Sequence, residues 1–307
     1  MTRHFLRDDD ITKAEQTEIL DLAIAMKADR FARQPLAGPQ TVAVIFDKTS
    51  TRTRVSFATG IADLGGSALI INPGESQLGG KESISDTARV MERMVAAIVW
   101  RTFGHEGLEE MARGTSVPVV NSLSDDFHPC QLLADLQTVR EHRGDLEGQR
   151  LVFFGDTASN MAHSYLLACA TAGMHVVLAG PASAAPRADI LADAERIAMA
   201  SGGSAVFTTD AAEAADDADI VVTDTWVSMG QESEKEQRIA QFGEYQVNGA
   251  VMARAKSDAI FLHCLPAYRG LEVAADVIDG PQSVIWDEAE NRLHAQKALL
   301  AWLLENS

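Results

Sequence analysis

Cysteine and aromatic residues are scarce in this sequence. Three cysteines occur among 307 residues, Cys130, Cys169 and Cys264, and they are too few and too scattered for a disulfide framework or a zinc site. Aromatic side chains make up 6% of the chain while hydrophobic residues make up 46%, so Val, Ile, Leu and Ala must fill the core. The composition predicts a protein of a reducing compartment, long enough for two domains.

Long apolar stretches are also missing. The segment MTRHFLRDDDIT at the start has no apolar run of the kind that a signal peptide contains. No other segment reaches the roughly 18 apolar residues of a membrane span. We therefore expect a soluble, cytoplasmic protein with no membrane partner.

Positive charge is in short supply. The chain has 26 Lys and Arg against 44 Asp and Glu, a formal net charge of -18 and a sequence pI near 4.8. An acidic surface repels nucleic acid and anionic membranes, so neither is an expected partner. A small anionic ligand remains possible, because arginines clustered in a cleft outweigh a distant acidic surface.

Short β-rich runs alternate with longer helical patterns along the chain. Near-continuous apolar strands in such an alternation predict parallel sheets covered on both faces. We therefore predict an α/β fold of two Rossmann-like domains, with a hinge near 141–150 and a C-terminal helix that packs back on the N-terminal domain. The predicted strands are 41–46, 67–71, 96–101, 117–121, 150–154, 175–179, 204–208, 219–223, 259–263 and 283–286.

Six polar segments directly follow predicted strands. They are DKTSTRT, RTFGH, SDDFHPCQ, GDTASN, DTWVSMG and HCLP. In an open parallel sheet this position is the carboxyl edge, where ligands bind. Packing alone does not explain six such segments, so they predict a binding site.

The segment STRTR, at 50–54, concentrates hydroxyl groups and arginines at one turn. If Ser50 or Thr51 opens a helix, the free N–H groups of the first turn favour an anion. Thr53 adds another hydroxyl, and Arg52 offers a planar guanidinium suited to phosphate oxygens. The alternative is an ordinary helix cap with solvated arginines. A Walker loop is excluded, since no G-x-x-x-x-G-K occurs.

The segment HPCQ places His128 at a helix start, where Pro129 fixes the first turn. The positive end of a helix disfavours an imidazolium, so a neutral His128 that donates a hydrogen bond to an oxyanion fits this position. A simple capping histidine is the alternative. Arg101, after a predicted strand, is either a surface arginine or a cation for the same anion.

Three further segments are ambiguous when taken singly. GDTASN lacks the G-x-G-x-x-G of a dinucleotide loop, which argues against a nicotinamide cofactor. Asp224 in DTWVSMG is suited to bind an ammonium group, although a lone acid after a strand is more often a turn or a cap. Cys264 in HCLP follows a buried strand, where an inert thiol is the ordinary reading.

Taken together and in this order, STRTR, HPCQ, DTWVSMG and HCLP resemble the ornithine carbamoyltransferases. The resemblance runs over essentially the whole chain. The aspartate carbamoyltransferases share the first two motif types, whereas the S-M-G loop and H-C-L-P are typical of the ornithine enzymes. Where that family often has two asparagines after G-D, this chain has Ser159 and Asn160.

The resemblance implies transfer of a carbamoyl group from carbamoyl phosphate to L-ornithine, giving L-citrulline and phosphate in arginine biosynthesis. It implies a carbamoyl phosphate-binding domain at 1–143, completed by a helix at 289–307, and an ornithine-binding domain at 144–288. Catalytic roles are expected for Arg101, His128 and Cys264. The carbamoyl phosphate contacts implied are Ser50, Thr51, Arg52, Thr53, Gln77, Arg101, His128, Pro129, Cys130, Gln131, Cys264, Leu265 and Arg292.

For ornithine, the resemblance implies that Asp224, Ser228 and Met229 hold the α-amino group and Asn160 the α-carboxylate. No metal or organic cofactor is expected. A homotrimer with shared active sites is implied, in which Gln77 reaches the neighbouring subunit's carbamoyl phosphate. Two alternatives stay open, namely a carbamoyltransferase with another amine acceptor and a non-catalytic anion-sensing protein of the same fold.

Overall fold

The computed structural model describes residues 2–75, 78, 80–227 and 232–307 of the chain. They form two compact units, the first comprising Met1–Gln137 with Glu290–Ser307 and the second Thr138–Ala289. Each unit is built on one parallel sheet with helices packed around it. The predicted α/β fold class with two parallel sheets is confirmed.

The first unit contains a four-stranded sheet in the order β2-β1-β3-β4. Its strands are β1 (Thr41–Phe46), β2 (Ser67–Ile71), β3 (Ala97–Arg101) and β4 (Val119–Leu123). The two central strands, β1 and β3, are buried almost throughout, because apolar side chains on both faces of a parallel sheet are covered by helices. Phe46 pairs with Arg101 at the carboxyl end of this register.

The helices of the first unit begin at polar capping residues. Thr12 and Glu15 form a reciprocal capping box at the start of α1, and the Ser83 hydroxyl caps α3. The bounds are α1 (Lys13–Ala28), α2 (Thr51–Asp63), α3 (Ile84–Met91), α4 (His105–Arg113) and α5 (Pro129–Arg143), the last running on into the second unit.

The long C-terminal helix α12 (Ile285–Glu305) completes the first unit. Gln296 donates a hydrogen bond to the Ser56 hydroxyl of α2 at 2.8 Å, and the Trp302 indole donates to Glu18 of α1 at 3.1 Å. The Lys297 side chain is fully enclosed and lies 3.5 Å from the Asp63 carboxylate. The predicted return of the last helix onto the N-terminal elements is confirmed.

The second unit contains a five-stranded sheet in the order β7-β6-β5-β8-β9. Its strands are β5 (Arg150–Phe154), β6 (His175–Ala179), β7 (Ser204–Thr208), β8 (Ile220–Thr223) and β9 (Ile260–Leu262). The order reverses at β5, which pairs with β6 on one side and β8 on the other. Such a switch point opens a crevice at the carboxyl ends of the strands.

The helices of the second unit vary widely in length. The bounds are α6 (Asn160–Ala172), α7 (Ala188–Ser201), α8 (Ala211–Ala215), α9 (Lys235–Phe242), α10 (Gly249–Arg254) and α11 (Ala275–Ile278). Gly173 ends α6 with a positive φ of 79°, a conformation that glycine adopts without strain. Among the residues described, no helix is both long and apolar enough to cross a membrane.

The strand predicted at 283–286 is wrong. Ser283 makes one isolated bridge to Phe261, and α12 begins two residues later at Ile285. The apolar run SVIW has β-type composition, but Asp287 and Glu288 follow at once and favour the first turn of a helix. The run at 283–286 therefore contains one residue of an isolated β-bridge and the first two residues of α12.

Candidate functional site

The turn between β1 and α2 has the geometry of an anion-binding helix start. Ser50 has extended backbone angles, and its hydroxyl accepts a hydrogen bond from the Thr53 N–H at 3.3 Å. Helix α2 has no acidic residue in its first turn, so its N–H groups face no competing carboxylate. Thr51 is exposed and Arg52 is half-buried.

Arg292 on α12 joins this turn to the HPCQ segment. Its guanidinium donates to the Gln131 side-chain oxygen at 2.6 Å and to the Thr53 hydroxyl at 3.3 Å. A third bond to Gln296 at 2.9 Å fixes the side chain along its own helix. Three residues predicted to contact carbamoyl phosphate thus form one buried network, in which Gln131 also donates to Asp135 at 2.8 Å.

His128 is buried beside positive charge. Burial lowers its pKa well below the usual histidine range, and Arg292, Arg101 and Arg52 lower that pKa further in this order. We call these three residues the arginine cluster. The sequence predicted a neutral His128 from the helix dipole; in the structure, desolvation and neighbouring cations favour the neutral imidazole more directly.

Two other residues of HPCQ act through the main chain or packing. Pro129 is the first residue of α5. The Cys130 thiol is buried and donates to the Asn121 carbonyl at 3.3 Å, and burial raises the pKa of this thiol to about 12. Cys130 is therefore held as a thiol against β4, so any contact it makes with a ligand comes from its backbone.

In the second unit, Asp224 and Cys264 meet at the ends of the adjacent strands β8 and β9. The Cys264 thiol donates to the Asp224 carboxylate at 3.2 Å, and the Thr225 N–H donates to the same oxygen at 2.7 Å. We call these two residues the acid–thiol pair. Burial raises the pKa of Asp224, and the nearby Glu272 raises it as well.

The backbone after Cys264 is held by buried polar groups. Leu265 has a φ of 57° and precedes a cis peptide bond to Pro266; its N–H donates to His263 Nδ1 at 2.9 Å. His263 Nε2 therefore carries the proton of the neutral ring, and it lies 3.4 Å from Glu272 Oε1. The Glu288 carboxylate accepts from the His263 N–H at 2.8 Å.

Asp224, His263 and Cys264 each offer a ligand atom, and these atoms lie within 4.8 Å of one another. A carboxylate, an imidazole and a thiol form a donor set that suits a divalent transition metal. In this structure they are instead bonded to protein groups, since the thiol donates to the carboxylate and the imidazole accepts a backbone N–H. The other ring nitrogen, His263 Nε2, has no hydrogen-bond partner among the residues that the structure describes.

Asn160 is the first residue of α6, after Ser159, whose hydroxyl caps the helix by accepting from the Ala162 N–H at 3.3 Å. It directly follows the loop after β5, and β5 is adjacent to β8, whose following loop contains Asp224. Two of the residues predicted to bind ornithine are therefore on neighbouring loops of one sheet. Gln77, Ser228 and Met229 lie outside the described residues.

Both halves of the chain match profiles of known protein domains. Residues 3–141 match "Aspartate/ornithine carbamoyltransferase, carbamoyl-P binding domain", and residues 147–303 match "Aspartate/ornithine carbamoyltransferase, Asp/Orn binding domain". The chain belongs to the aspartate/ornithine carbamoyltransferase family. The resemblance seen in the four motifs is confirmed.

Individual members of the aspartate/ornithine carbamoyltransferase family are similar over their full length. The ornithine carbamoyltransferase of Clavibacter sepedonicus is 70% identical over 307 residues, covering 100% of both chains. A solved structure of the ornithine carbamoyltransferase from Pyrococcus furiosus is 45% identical with a TM-score of 0.95, covering 100% of this chain and 98% of that one. A second structure, from Gloeobacter violaceus, is 41% identical with a TM-score of 0.89 and 98% coverage of each chain.

One arginine in this family member was missed by sequence reasoning. Arg238 on α9 forms an ion pair with Asp156 in the loop after β5, and it donates to the Trp226 carbonyl in the loop after β8. Both charged side chains are largely buried. Arg238 therefore connects the loop that leads to Asn160 with the loop that contains Asp224. In the sequence it lies in a charged run, ESEKEQR, which has the composition of a solvated helix face.

Glu272 and Glu288 were missed as well. Both carboxylates are fully buried, and each accepts a backbone N–H, from Tyr268 and His263 respectively. The pattern of apolar residues in the sequence does not indicate that these two acids are buried. An acid is expected to be buried only where a partner is present. The partners here are backbone N–H groups, and the sequence composition does not reveal where such groups will be unpaired.

Proposed function

We propose that this chain catalyses transfer of the carbamoyl group of carbamoyl phosphate to the δ-amine of L-ornithine, with release of phosphate. The observation that carries this proposal is the neutral, buried His128 within the arginine cluster. A neutral imidazole can donate a hydrogen bond to a developing oxyanion, while the arginines balance the two negative charges of carbamoyl phosphate. Membership of the family and the 70% identical relative support the same reaction.

Carbamoyl phosphate needs donors for its phosphate, and the first unit supplies them. We assign the phosphate to Ser50, Thr51, Arg52 and Thr53 at the start of α2, with Arg101 and Arg292 completing the cationic lining. Helix N–H groups, hydroxyls and guanidinium groups are the donors that phosphate prefers. Gln77 is assigned to the carbamoyl phosphate of a neighbouring subunit in a homotrimer.

The carbamoyl end needs both donors and acceptors. As the δ-nitrogen attacks the carbonyl carbon, that carbon becomes tetrahedral and its oxygen becomes negative; His128 and Arg101 donate to this oxygen. The NH₂ group donates to Gln131 Oε1, which already accepts from Arg292, or to the Leu265 carbonyl. Pro129 and Cys130 shape the wall by their backbone. The bond to the phosphate oxygen then breaks, and the proton that the nitrogen loses leaves with the phosphate.

The second unit provides groups suited to an amino acid. We assign the α-ammonium group of ornithine to Asp224 together with Ser228 and Met229, and the α-carboxylate to Asn160. The nucleophile must be the neutral δ-amine, although a free alkyl amine is mostly protonated near pH 7. Cys264, paired with Asp224, positions this amine. No step of the reaction requires a metal or an organic cofactor.

These roles divide the chain into a carbamoyl phosphate-binding part, at 1–143 with 289–307, and an ornithine-binding part at 144–288. A steady-state assay that measures phosphate and citrulline with ornithine as acceptor tests the proposal. Aspartate, acetylornithine and putrescine are the matched competitors. If another acceptor supports faster turnover than ornithine does, ornithine is not the natural acceptor. If no acceptor leads to release of phosphate, the chain is not a carbamoyltransferase.

A further inference from the structure

A second buried histidine lies close to His128 and has no part in the mechanism above. His105 is the first residue of α4 and is 7% exposed. Its Nδ1 atom is 3.1 Å from the Ser124 hydroxyl. Its other ring nitrogen, Nε2, is buried and has no hydrogen-bond partner among the described residues. A buried polar ring with one satisfied nitrogen calls for an explanation.

The Ser124 hydroxyl determines which way this hydrogen bond runs. The oxygen accepts from the Phe127 N–H at 3.2 Å and from the Asn121 side-chain amide at 3.3 Å. Two N–H donors can use both lone pairs of this oxygen, which leaves the hydroxyl proton for an acceptor. Its nearer acceptor is His105 Nδ1, at 3.1 Å, rather than the Phe127 carbonyl at 3.4 Å. When the hydroxyl donates to Nδ1, the ring proton of a neutral His105 lies on Nε2.

Ser124 and Phe127 enclose the turn that leads directly into His128. The Ser124 N–H donates to the Phe127 carbonyl at 2.8 Å. The Phe127 ring meets the His105 ring edge-to-face, with centroids 5.1 Å apart, and the Arg7 guanidinium lies 5.1 Å from the same phenyl centroid. The residue next to His128 is thus held by a hydrogen-bonded turn and by two ring contacts.

We propose that His105 is a positioning residue for His128, acting by accepting the Ser124 hydroxyl proton and packing on Phe127 so that the turn from Ser124 to Phe127 holds one conformation. This inference rests on the proposed function, because a shifted His128 matters for turnover only if His128 stabilises the oxyanion. Misplacement of a catalytic group by about 1 Å is enough to cost up to about 10² in rate.

The role requires a neutral His105. Protonation would add a third N–H donor to an oxygen whose lone pairs are already used, which would break the contact. Burial lowers the pKa of His105 and favours the neutral ring; Arg7 acts in the same direction, while Asp126, Glu109 and Asp10 oppose it. The turn is also held at Asp125, which pairs with Lys48 and whose N–H donates to the Phe103 carbonyl. Loss of His105 should therefore loosen the turn without unfolding it.

The test compares His105→Leu with His105→Asn. Leucine keeps volume but removes the acceptor, whereas the asparagine side-chain oxygen can replace Nδ1. We expect His105→Leu to lower kcat about tenfold and to change the KM for carbamoyl phosphate by less than about twofold, because the phosphate donors are elsewhere. His105→Asn should recover most of kcat. Ser124→Ala removes the partner of His105 together with the acceptor of the Phe127 and Asn121 N–H groups, so it should lower kcat at least as much, even if the leucine variant folds poorly.

His175→Leu is the matched control. His175 Nδ1 lies 2.9 Å from the Ser204 hydroxyl at the amino ends of β6 and β7, so the substitution removes a bond of the same kind without touching the turn. Its kcat should equal that of the wild type. A kcat within about twofold of wild type for both His105→Leu and Ser124→Ala would overturn the proposal.

A crystal structure of His105→Leu provides a readout independent of activity. We expect the His128 ring to shift by more than about 0.5 Å, the tolerance of a productive site. An unmoved ring would overturn the positioning role whatever the kinetics. Absence of citrulline formation by the wild type would instead refute the proposed function, and the structural comparison would still decide whether His105 positions His128.

Discussion

His128 in the first unit and Asp224 in the second both lie beyond the carboxyl end of a parallel strand, and in both cases burial favours the neutral form. Their surroundings differ in sign. The charged groups that shift the pKa of His128 are the three arginines, which lower it further. For Asp224, hydrogen bonds from the Thr225 N–H and the Cys264 thiol favour the charged form, and the nearby Glu272 opposes it.

This difference fits two kinds of ligand. A histidine that stays neutral among arginines can donate to an oxyanion while the arginines hold a phosphate. An aspartate next to a neutral imidazole and a thiol remains able to become a carboxylate when an ammonium group arrives, because an opposite charge lowers its pKa. Under the proposed assignment, the first site is prepared for an anion before binding, whereas the second responds to its ligand.

The largest expected effect is the loss of His128. His128→Ala should lower kcat by about 10²–10³, the usual cost of one oxyanion donor, while binding of carbamoyl phosphate weakens much less. Steady-state kinetics combined with calorimetric titration separates the two. His4→Ala is the control, since His4 accepts the Val119 N–H at 3.2 Å in the same unit. An unchanged kcat for His128→Ala would show that the histidine is only a helix cap.

Loss of charge at Asp224 should act on ornithine instead. Asp224→Asn should raise the KM for ornithine more than tenfold, about 1.4 kcal/mol or more, because an amide replaces a charge-assisted bond only in part. Carbamoyl phosphate binding should stay within about twofold of wild type. Asp216→Asn, which removes an exposed acid paired with Arg254, should change neither. Equal weakening of both substrates would contradict the division between the units.

Substitution of Arg238 tests whether ornithine binding in the second unit depends on the link between the loops that contain Asp156 and Trp226. Arg238→Met should raise the KM for ornithine about fivefold by loosening the loops that contain Asp156 and Trp226. Arg238→Lys should raise the KM for ornithine less than Arg238→Met does, because lysine keeps the positive charge. The KM should still exceed that of the wild type, since lysine cannot bond both partners with one planar fork.

Arg254→Met is the matched control for Arg238. Arg254 also bonds a backbone carbonyl and a carboxylate, those of Ala212 and Asp216, each at 2.8 Å, but its side chain is exposed. The control should leave both KM values unchanged. If Arg238→Met raises only the KM for carbamoyl phosphate, the assignment of Arg238 to the ornithine site is wrong.

The smallest effect concerns stability as a function of pH. For His128, the unfolded chain binds a proton below about pH 6.5 that the folded chain does not, so stability rises with pH up to that value. For Asp224, the folded chain retains a proton that the unfolded chain releases above about pH 4, so stability falls as pH rises through the elevated pKa.

His128→Gln should therefore flatten the rise below about pH 6.5, and Asp224→Asn should flatten the fall above about pH 4. Differences of a few degrees in Tm are expected for a chain of this size. Thermal melts of the two variants and the wild type between pH 4 and 8 measure both slopes. Curves parallel to that of the wild type would mean that neither group has a shifted pKa.

The parallel sheets and the positions of the polar segments could be predicted because both depend on local patterns. The apolar run at 41–46 and the capping turn at Ser50 are encoded by adjacent residues, whereas Arg292 was expected only from the resemblance to the family. Arg238, Glu272 and His105 could not be predicted, since each acts through main-chain atoms or through residues distant in sequence. The run at 283–286 failed because four residues do not distinguish a strand from a helix start.

The bonds from Arg292 to Gln131 and to Thr53 have a consequence for biosynthesis. The two bonded pairs are 161 and 239 residues apart in sequence, whereas the elements from β1 to α5 all lie within the first half of the chain. On the ribosome, where N-terminal regions fold first, that half can form while Gln131 and Thr53 still lack their guanidinium partner. The arginine cluster is completed only after residue 292 has been synthesised, so a nascent chain contains most of the phosphate donors before it contains the complete site.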